Sequence, residues 1–356
     1  GNRLDDGALA GIRALEAGKA WVDLAPAGRA EAERDGADGD AHFELLVALR
    51  SHSGLLGCMA LAAKLSEEPY SGEDKDLLAA VCTEMGLALE NARLLEVAKR
   101  EAEHAKELDI ARRVQENLFP KELPRAEGWE FAAICRPAKA VGGDYYDLFA
   151  IDAGHIAFAI GDVSGKGLGP SMLMSSVHAM IRTHLRNEAT RLPALMSMLN
   201  EHLYASTTPE MFLTLFVGIL DVRTGSLRYV NGAHNPPVLF SGPGQKLITL
   251  EKGGMIVGIV PGVPFEEGEA RIEPGGLLTM YSDGVTEATN QVEEMFEEEN
   301  LLEAIVSAGD RDAVEILNAI VGAVDRFAAG CEQADDITVV VIQKADDETS
   351  SRNGRE

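Results

Sequence analysis

Positive charge is what this 356-residue chain is shortest of: 32 lysines and arginines face 58 aspartates and glutamates, a formal net charge of -26. A chain this acidic is repelled by nucleic acid and by anionic lipid, so no nucleic-acid and no membrane partner is expected. Long hydrophobic runs are missing too. No apolar stretch approaches the roughly 20 residues that span a bilayer, and "GCMALAA" (57–63) reads as a short core segment. Cysteine is sparse. Cys58, Cys82, Cys135 and Cys331 form no close pair, which points to reduced thiols in a cytoplasmic protein and away from a disulfide or zinc framework. No secretory leader is visible, and the chain opens on Gly1 without an initiator methionine, so a fragment with residues missing upstream is expected. Familiar catalytic signatures are absent as well: no GxSxG elbow, no HExxH, no dinucleotide fingerprint and no Walker loop. "GKGLGP" (165–170) is not one, because glycine follows Lys166.

What is present, 46% hydrophobic and 25% charged residues, is the composition of a globular protein long enough for two domains. Residues 1–72 mix short strand-like runs, "HFELLVALR" and "LLGCMALAA", with loops of Gly, Asp and Ala. From Glu73 to Leu118 there is no proline and one glycine, and the segment is dense in Ala, Leu, Glu, Lys and Arg. That composition predicts one long helix, closed by Pro120 and Pro124. Leu87, Leu94 and Leu108 fall on a seven-residue grid that Glu101 and His104 interrupt, a weakly specified coiled-coil seam.

Beyond Trp129 strand-like runs dominate: "HIAFAIGDV", "MFLTLFVGILDV", "SLRYVNGAH", "PVLF", "LLTMYSDG" and "ITVVVI". They alternate with predicted helices at 168–187, 192–206, 298–308 and 311–328, and "DVRTGSLRYV" predicts a hairpin about Thr224 and Gly225. Strands in hairpins with interposed helix pairs predict an α+β architecture, sheets flanked by helices. The polar tail, 346–356, is expected to be disordered.

Four segments end in aspartate where an apolar strand meets a loop. "VGGDYYD" offers Asp144 and Asp147, "AIGDVSGKG" Asp162, "MYSDGVTE" Asp283, and "QADDITVVV" Asp335 and Asp336. One such aspartate is ordinarily a turn residue. Four of them point to a shared task, and a hard divalent cation is the ligand that wants gathered carboxylate oxygens. Glycine beside three of the four would let backbone and water approach closely. Among the histidines, His155 is expected in an exposed turn, His178 and His184 on a helix with packing or solvent roles, and His234 in a structural turn. Cys135 reads as a core thiol.

Taken together and in order, "GGDYYDLF", "GDVSGKGLGPSMLMS", "YVNGAHNPPVLF", "YSDGVTEATN" and "ADDITVVV" resemble the SpoIIE/RsbU-like branch of the PPM metal-dependent protein phosphatases, over roughly 110–343. The segment before it, with "LVALRSHSGLLGCMALAAK" and "EDKDLLAAVCTEMGLALENARLL", is similar to the C-terminal part of a GAF sensor domain. The resemblance implies a partial GAF-like domain at 1–72, a linker helix at 73–119 and an αββα phosphatase sandwich at 120–345. It implies two Mn²⁺ or Mg²⁺ ions, with Asp144, Asp162, the Val163 carbonyl, Asp283 and Asp335 as ligands. Asp336, Asp147 and Gly284 stand as secondary candidates, and Arg136 and Lys166 as contacts to substrate phosphate. The nucleophile would be a metal-bound water and no side chain. The substrate implied is a phosphoserine or phosphothreonine protein, foremost a STAS-domain anti-sigma-factor antagonist in a partner-switching pathway. Regulation would run through the sensor and a homodimer formed by the linker helices. A catalytically silent phosphoprotein- or metal-binding regulator, and a hydrolase of small phosphomonoesters, are the alternatives. One departure stands out: the family reads Asn-Ala-Gly-His where this chain has Asn231, Gly232, Ala233 and His234, which exchanges the residue free to take positive φ.

Overall fold

The structure, a computed structural model, describes residues 6–24, 43–186, 189–208, 210–240, 247–309 and 311–346. Beyond Asp346 the expected tail lies outside the described residues. The chain divides into two compact units, 1–105 and 106–356. The division falls inside the long helix.

In the first unit, helix α1 (Asp6–Glu16) and strands β1 (Trp21–Asp23), β2 (Leu45–Ser51) and β3 (Gly54–Leu61) build a three-stranded antiparallel sheet in the order β1-β2-β3. The two-residue period of β2 splits its side chains between faces. Leu46 and Ala48 join Leu15 of α1, while Leu45 and Val47 join Cys82 of the following helix. That helix, α2 (Gly72–Glu116), runs unbroken for 45 residues, as its composition requires. Gly86 in its interior is needed for contact: a Cβ there would lie 2.1 Å from the Arg50 carbonyl oxygen. Leu87, Leu94 and Leu95 are exposed. Among the described residues no helix is long and apolar enough to cross a membrane.

The second unit stacks two sheets between two helix pairs. Strands β4 (Trp129–Arg136), β5 (Asp144–Ala150) and β6 (His155–Val163) are followed by α3 (Leu168–His184) and α4 (Leu192–Ser206). Then come β7 (Leu213–Asp221), β8 (Ser226–Gly232), β9 (Val238–Phe240), β10 (Leu247–Thr249), β11 (Gly253–Gly254), β12 (Gly268–Arg271) and β13 (Leu277–Tyr281). The short α5 (Asp283–Thr286), α6 (Glu297–Ala308), α7 (Ala313–Phe327) and β14 (Ile337–Lys344) complete it. One sheet has the order β10-β9-β13-β14-β4, the other β11-β8-β7-β6-β5, with β12 also on β8. The turn between β7 and β8 contains the expected Thr224 and Gly225, and Gly225 takes φ 77°.

Strand alternation makes the layers. In β6, Ala157 and Ala159 face Met174, Val177 and Leu199 of the α3/α4 pair, while Phe158 and Ile160 face the opposing sheet. In β14, Val340 and Ile342 turn inwards to that shared core, and Val339 and Val341 turn out to Ile316 and Ile320 of α7. This is the expected αββα sandwich. α7 begins where its chemistry directs: Asp312 caps it by accepting from the Glu315 amide at 2.7 Å.

The Asn231–His234 turn resolves the departure noted above. Ala233, not Gly232, takes the left-handed conformation, φ 57°. Gly232 is needed for packing, since a Cβ there would meet Met196 Cε at 2.7 Å. Asn231 holds the turn by accepting from the His234 amide (2.8 Å) and donating to the His234 carbonyl (3.0 Å). An L-residue in this conformation costs about 1 kcal/mol, part of which glycine forfeits as unfolded-state entropy. Ala233→Gly should therefore stabilise the protein by about 0.5 kcal/mol in urea unfolding, with activity unchanged.

Candidate metal centre

The two sheets bring their aspartates together at one end of the sandwich. Antiparallel register sets Asp144 at the start of β5 directly opposite Asp162 near the end of β6. Like charges facing each other across a ladder are destabilising unless something neutralises them. From the other sheet, Asp283 follows β13 at the head of α5, and Asp335 and Asp336 immediately precede β14. Hydroxyls knit this end, Thr338 across the two sheets and Ser282 between β13 and β14 of one of them. Thr338 Oγ1 of β14 donates to Asp144 Oδ2, Ser282 Oγ donates to the Asp336 carbonyl at 3.1 Å, and the Thr338 amide donates to Ser282 Oγ at 3.0 Å.

Electrostatics set these carboxylates apart. Burial raises the Asp144 pKa well above the ordinary carboxylate value, and Asp162 opposite adds to the rise. Asp162 is pushed up to about 7, first by burial and then by Asp283, Asp335 and Asp336. Burial, Glu287 and Asp335 raise Asp283. In each case burial and neighbouring carboxylates disfavour the ionised form.

Glycines clear the space. A Cβ on Gly143 would lie 2.5 Å from the Val163 carbonyl oxygen and 2.7 Å from Asp162 Oδ1, so those two oxygens crowd one small opening that only glycine leaves free. This oxygen-only set suits a hard divalent cation. Among the described residues, no three His, Cys, Asp or Glu side chains already close around a single ion position. The donors fit Mn²⁺ or Mg²⁺ in kind, with closure left to the ion.

The remaining sequence candidates take other places. Asp336 is a brace: its Oδ1 accepts from the Ala138 amide (2.8 Å) and its Oδ2 from the Gly143 amide (2.8 Å), which pins the loop ahead of Asp144. Gly284 is pressed against it, where a Cβ would lie 2.0 Å from the Asp336 carbonyl oxygen. Asp147 stands apart from the cluster. Three residues along β5 from Asp144, it points to the helix face, where Arg182 of α3 grips both its oxygens at 2.7 Å. His178 Nε2 lies 3.7 Å from the same carboxylate. Arg136 is held through two nitrogens by Asp325 of α7, at 2.7 and 3.1 Å. Lys166 pairs with Asp335 at 2.8 Å. A cavity of about 390 Å³ beside the cluster is lined by Arg136, Lys166, Asp335 and Gly284, with Glu287 and Glu332 also on its wall.

Three supporting residues escaped the sequence reading: Thr338, Ser282 and Gln115. Gln115, buried at the end of α2, donates to the Gly142 carbonyl at 2.8 Å and accepts from the Gly142 amide at 3.1 Å. Phe119 then stacks on Tyr146 of β5, ring centroids 5.0 Å apart. A glutamine closing an otherwise charged helix, just before "NLFP", was the available signal.

The family model for stage II sporulation protein E (SpoIIE) matches residues 152–345, more than half of the chain. The chain belongs to the SpoIIE family. Protein IcfG of Synechocystis sp. (strain ATCC 27184 / PCC 6803 / Kazusa) is 31% identical over 264 residues, 67% of this chain and 41% of that protein. Phosphoserine phosphatase RsbU of Bacillus subtilis (strain 168) is 28% identical over 216 residues, 61% of this chain and 63% of that protein. The chain thus spans less than two thirds of each of these relatives. Among solved structures, the SiaA PP2C domain of Pseudomonas aeruginosa superposes with a TM-score of 0.60 at 18% identity, over 69% of this chain and 99% of that domain. The fold of the second unit is accordingly that of PP2C phosphatase domains.

Proposed function

We propose that this SpoIIE-family chain is a metal-dependent protein serine/threonine phosphatase whose substrate is a phosphorylated STAS-domain protein in a partner-switching pathway. The observation that carries the reading is the register pair Asp144–Asp162, with Asp283 and Asp335 delivered to it from the opposite sheet. The similarity to a protein named phosphoserine phosphatase supports the same reading.

Asp144, Asp162, the Val163 carbonyl, Asp283 and Asp335 would hold two Mn²⁺ or Mg²⁺ ions, which supply a nucleophilic water at neutral pH and neutralise the phosphate oxygens. The chain's own residues do the positioning. Thr338 fixes Oδ2 of Asp144. Asp336 holds the Gly142–Gly143 loop through backbone amides, so glycine rather than a side chain borders the space that phosphate must enter. Neither Cys135 nor His234 competes as nucleophile or acid in this scheme. The Cys135 thiol is held far above its ordinary value, chiefly by burial. Burial pushes His234 down to about 4, so it is neutral at pH 7.

Regulation is read into α2. Its final turn reaches the centre through Gln115 and Gly142, and the exposed Leu87, Leu94 and Leu95 offer a face for a second copy of the helix. A homodimer paired along α2, governed by a GAF-like first unit, would then act on the loop that precedes Asp144.

The test is phosphate release from a phosphorylated STAS-domain protein with and without Mn²⁺, for wild type and Asp283→Asn. Release that needs Mn²⁺ and vanishes in the variant is the expected result. Turnover of p-nitrophenyl phosphate alone would point to a small-ester hydrolase, and metal binding without release to a silent regulator.

A further inference from the structure

Lys166 occupies a position that a substrate contact alone does not explain. Its ammonium donates to the Ala334 carbonyl at 2.6 Å and meets Asp335 Oδ2 at 2.8 Å. Its backbone is not free to follow the side chain. Gly165 and Gly167 on either side hold φ 93° and 104°, Ser164 Oγ donates to the Glu210 carbonyl and accepts from the Phe212 amide, and α3 starts at Leu168. Any movement therefore belongs to the four-carbon side chain.

We propose that Lys166 is the built-in counter-ion of the metal-free centre: it neutralises Asp335 until a divalent cation claims that carboxylate, and metal binding expels it. The inference rests on the reading of Asp335 as a metal ligand. The physical ground is competition. An ammonium hydrogen-bonded to a carboxylate oxygen and a divalent cation cannot use the same lone pair, and the two positive charges repel each other at ligand distances. Expulsion has somewhere to go, because Lys166 already borders the 390 Å³ cavity whose wall carries Glu287 and Glu332. Once released, the ammonium stands beside the loaded centre, free to meet phosphate oxygens. Metal loading and preparation for substrate become one event, and in the metal-free protein the lysine keeps the aspartates from repelling one another outright.

Two measurements on the full chain test this. The first is acetylation of Lys166 by an amine-reactive ester, quantified by peptide mass spectrometry with and without Mn²⁺; labelling should rise severalfold when the metal is present. The second is calorimetric Mn²⁺ titration of Lys166→Met, with Lys139→Gln in the neighbouring loop as a control for loss of one positive charge. Both pair members are about two-fifths exposed (39% and 37%), so removing the competitor should tighten Mn²⁺ binding about fivefold, the upper range of an exposed ion pair, and the control should move it less than that. Labelling indifferent to Mn²⁺, or equal tightening in both variants, would overturn the counter-ion role while leaving the metal site standing. Wild-type protein that binds no Mn²⁺, or an Asp335→Asn variant that binds it as tightly, would remove the metal-ligand reading itself and the inference with it.

Discussion

Asp162→Asn is expected to abolish metal-dependent phosphate release and yet stabilise the metal-free protein at pH 8. The sign follows from titration. Asp162 has its pKa raised from 3.8 to about 7 in the folded chain, so between those values the native state binds more protons than the unfolded state and stability falls as pH rises. Above pH 7 the ionised group costs on the order of 4 kcal/mol relative to a free aspartate. Asparagine keeps the shape and removes the charge. Thermal or urea unfolding in chelator should show the variant more stable than wild type at pH 8, with the difference closing as pH approaches 4. Mn²⁺ should stabilise wild type at pH 8 and scarcely affect the variant. Phosphate release should drop by roughly three orders of magnitude, the scale at which one preorganised electrostatic group acts. A variant less stable than wild type at pH 8 would mean that the metal-free protein already neutralises Asp162, and the cluster would lose its claim to await a cation.

The same residues show what a sequence discloses and what it withholds. The strand-end aspartates are legible because the residues around them have few other uses: an apolar run, an acid and a glycine form a local pattern, repeated. The layers are legible for a similar reason, since Ala157 to Ile160 alternate small and large side chains before any fold is known. Pairings between distant segments are not. Nothing local in "ADDITVVV" tells which aspartate braces backbone amides 193 residues away and which is left to Lys166. Arg136 looks available until α7 brings Asp325 to it. Asp147 was within reach: strand periodicity sends residues three apart to opposite faces, so an inward Asp144 already requires an outward Asp147. The sequence could not supply the arginine that meets it there.

Arg182→Ala is expected to be among the most destabilising single changes in the second unit. Asp147 is fully buried and Arg182 partly exposed, 0% and 41% by side chain, so the two partners are not equivalent. Without the guanidinium, Asp147 keeps, among the described residues, the Tyr145 hydroxyl at 3.3 Å and His178, whose pKa is itself lowered, chiefly by burial. A buried charge stripped of its partner typically costs about 3–5 kcal/mol. Asp147→Asn should cost less, because the arginine left behind can reach water and keep its stacking over Phe149, 4.8 Å from the ring centre. The double variant, Asp147→Asn with Arg182→Ala, should then be more stable than Arg182→Ala alone. Denaturant unfolding of the four proteins closes a cycle that isolates the pair. Effects that simply add would show that Arg182 acts by packing alone. A recovery in the double variant would show that α3 is fastened to β5 by charge, on the face of the strand opposite the one that presents Asp144. The fastening has a place in the chemistry as well, since α3 begins two residues after Lys166, and a helix loosened from β5 would loosen the loop that carries the counter-ion.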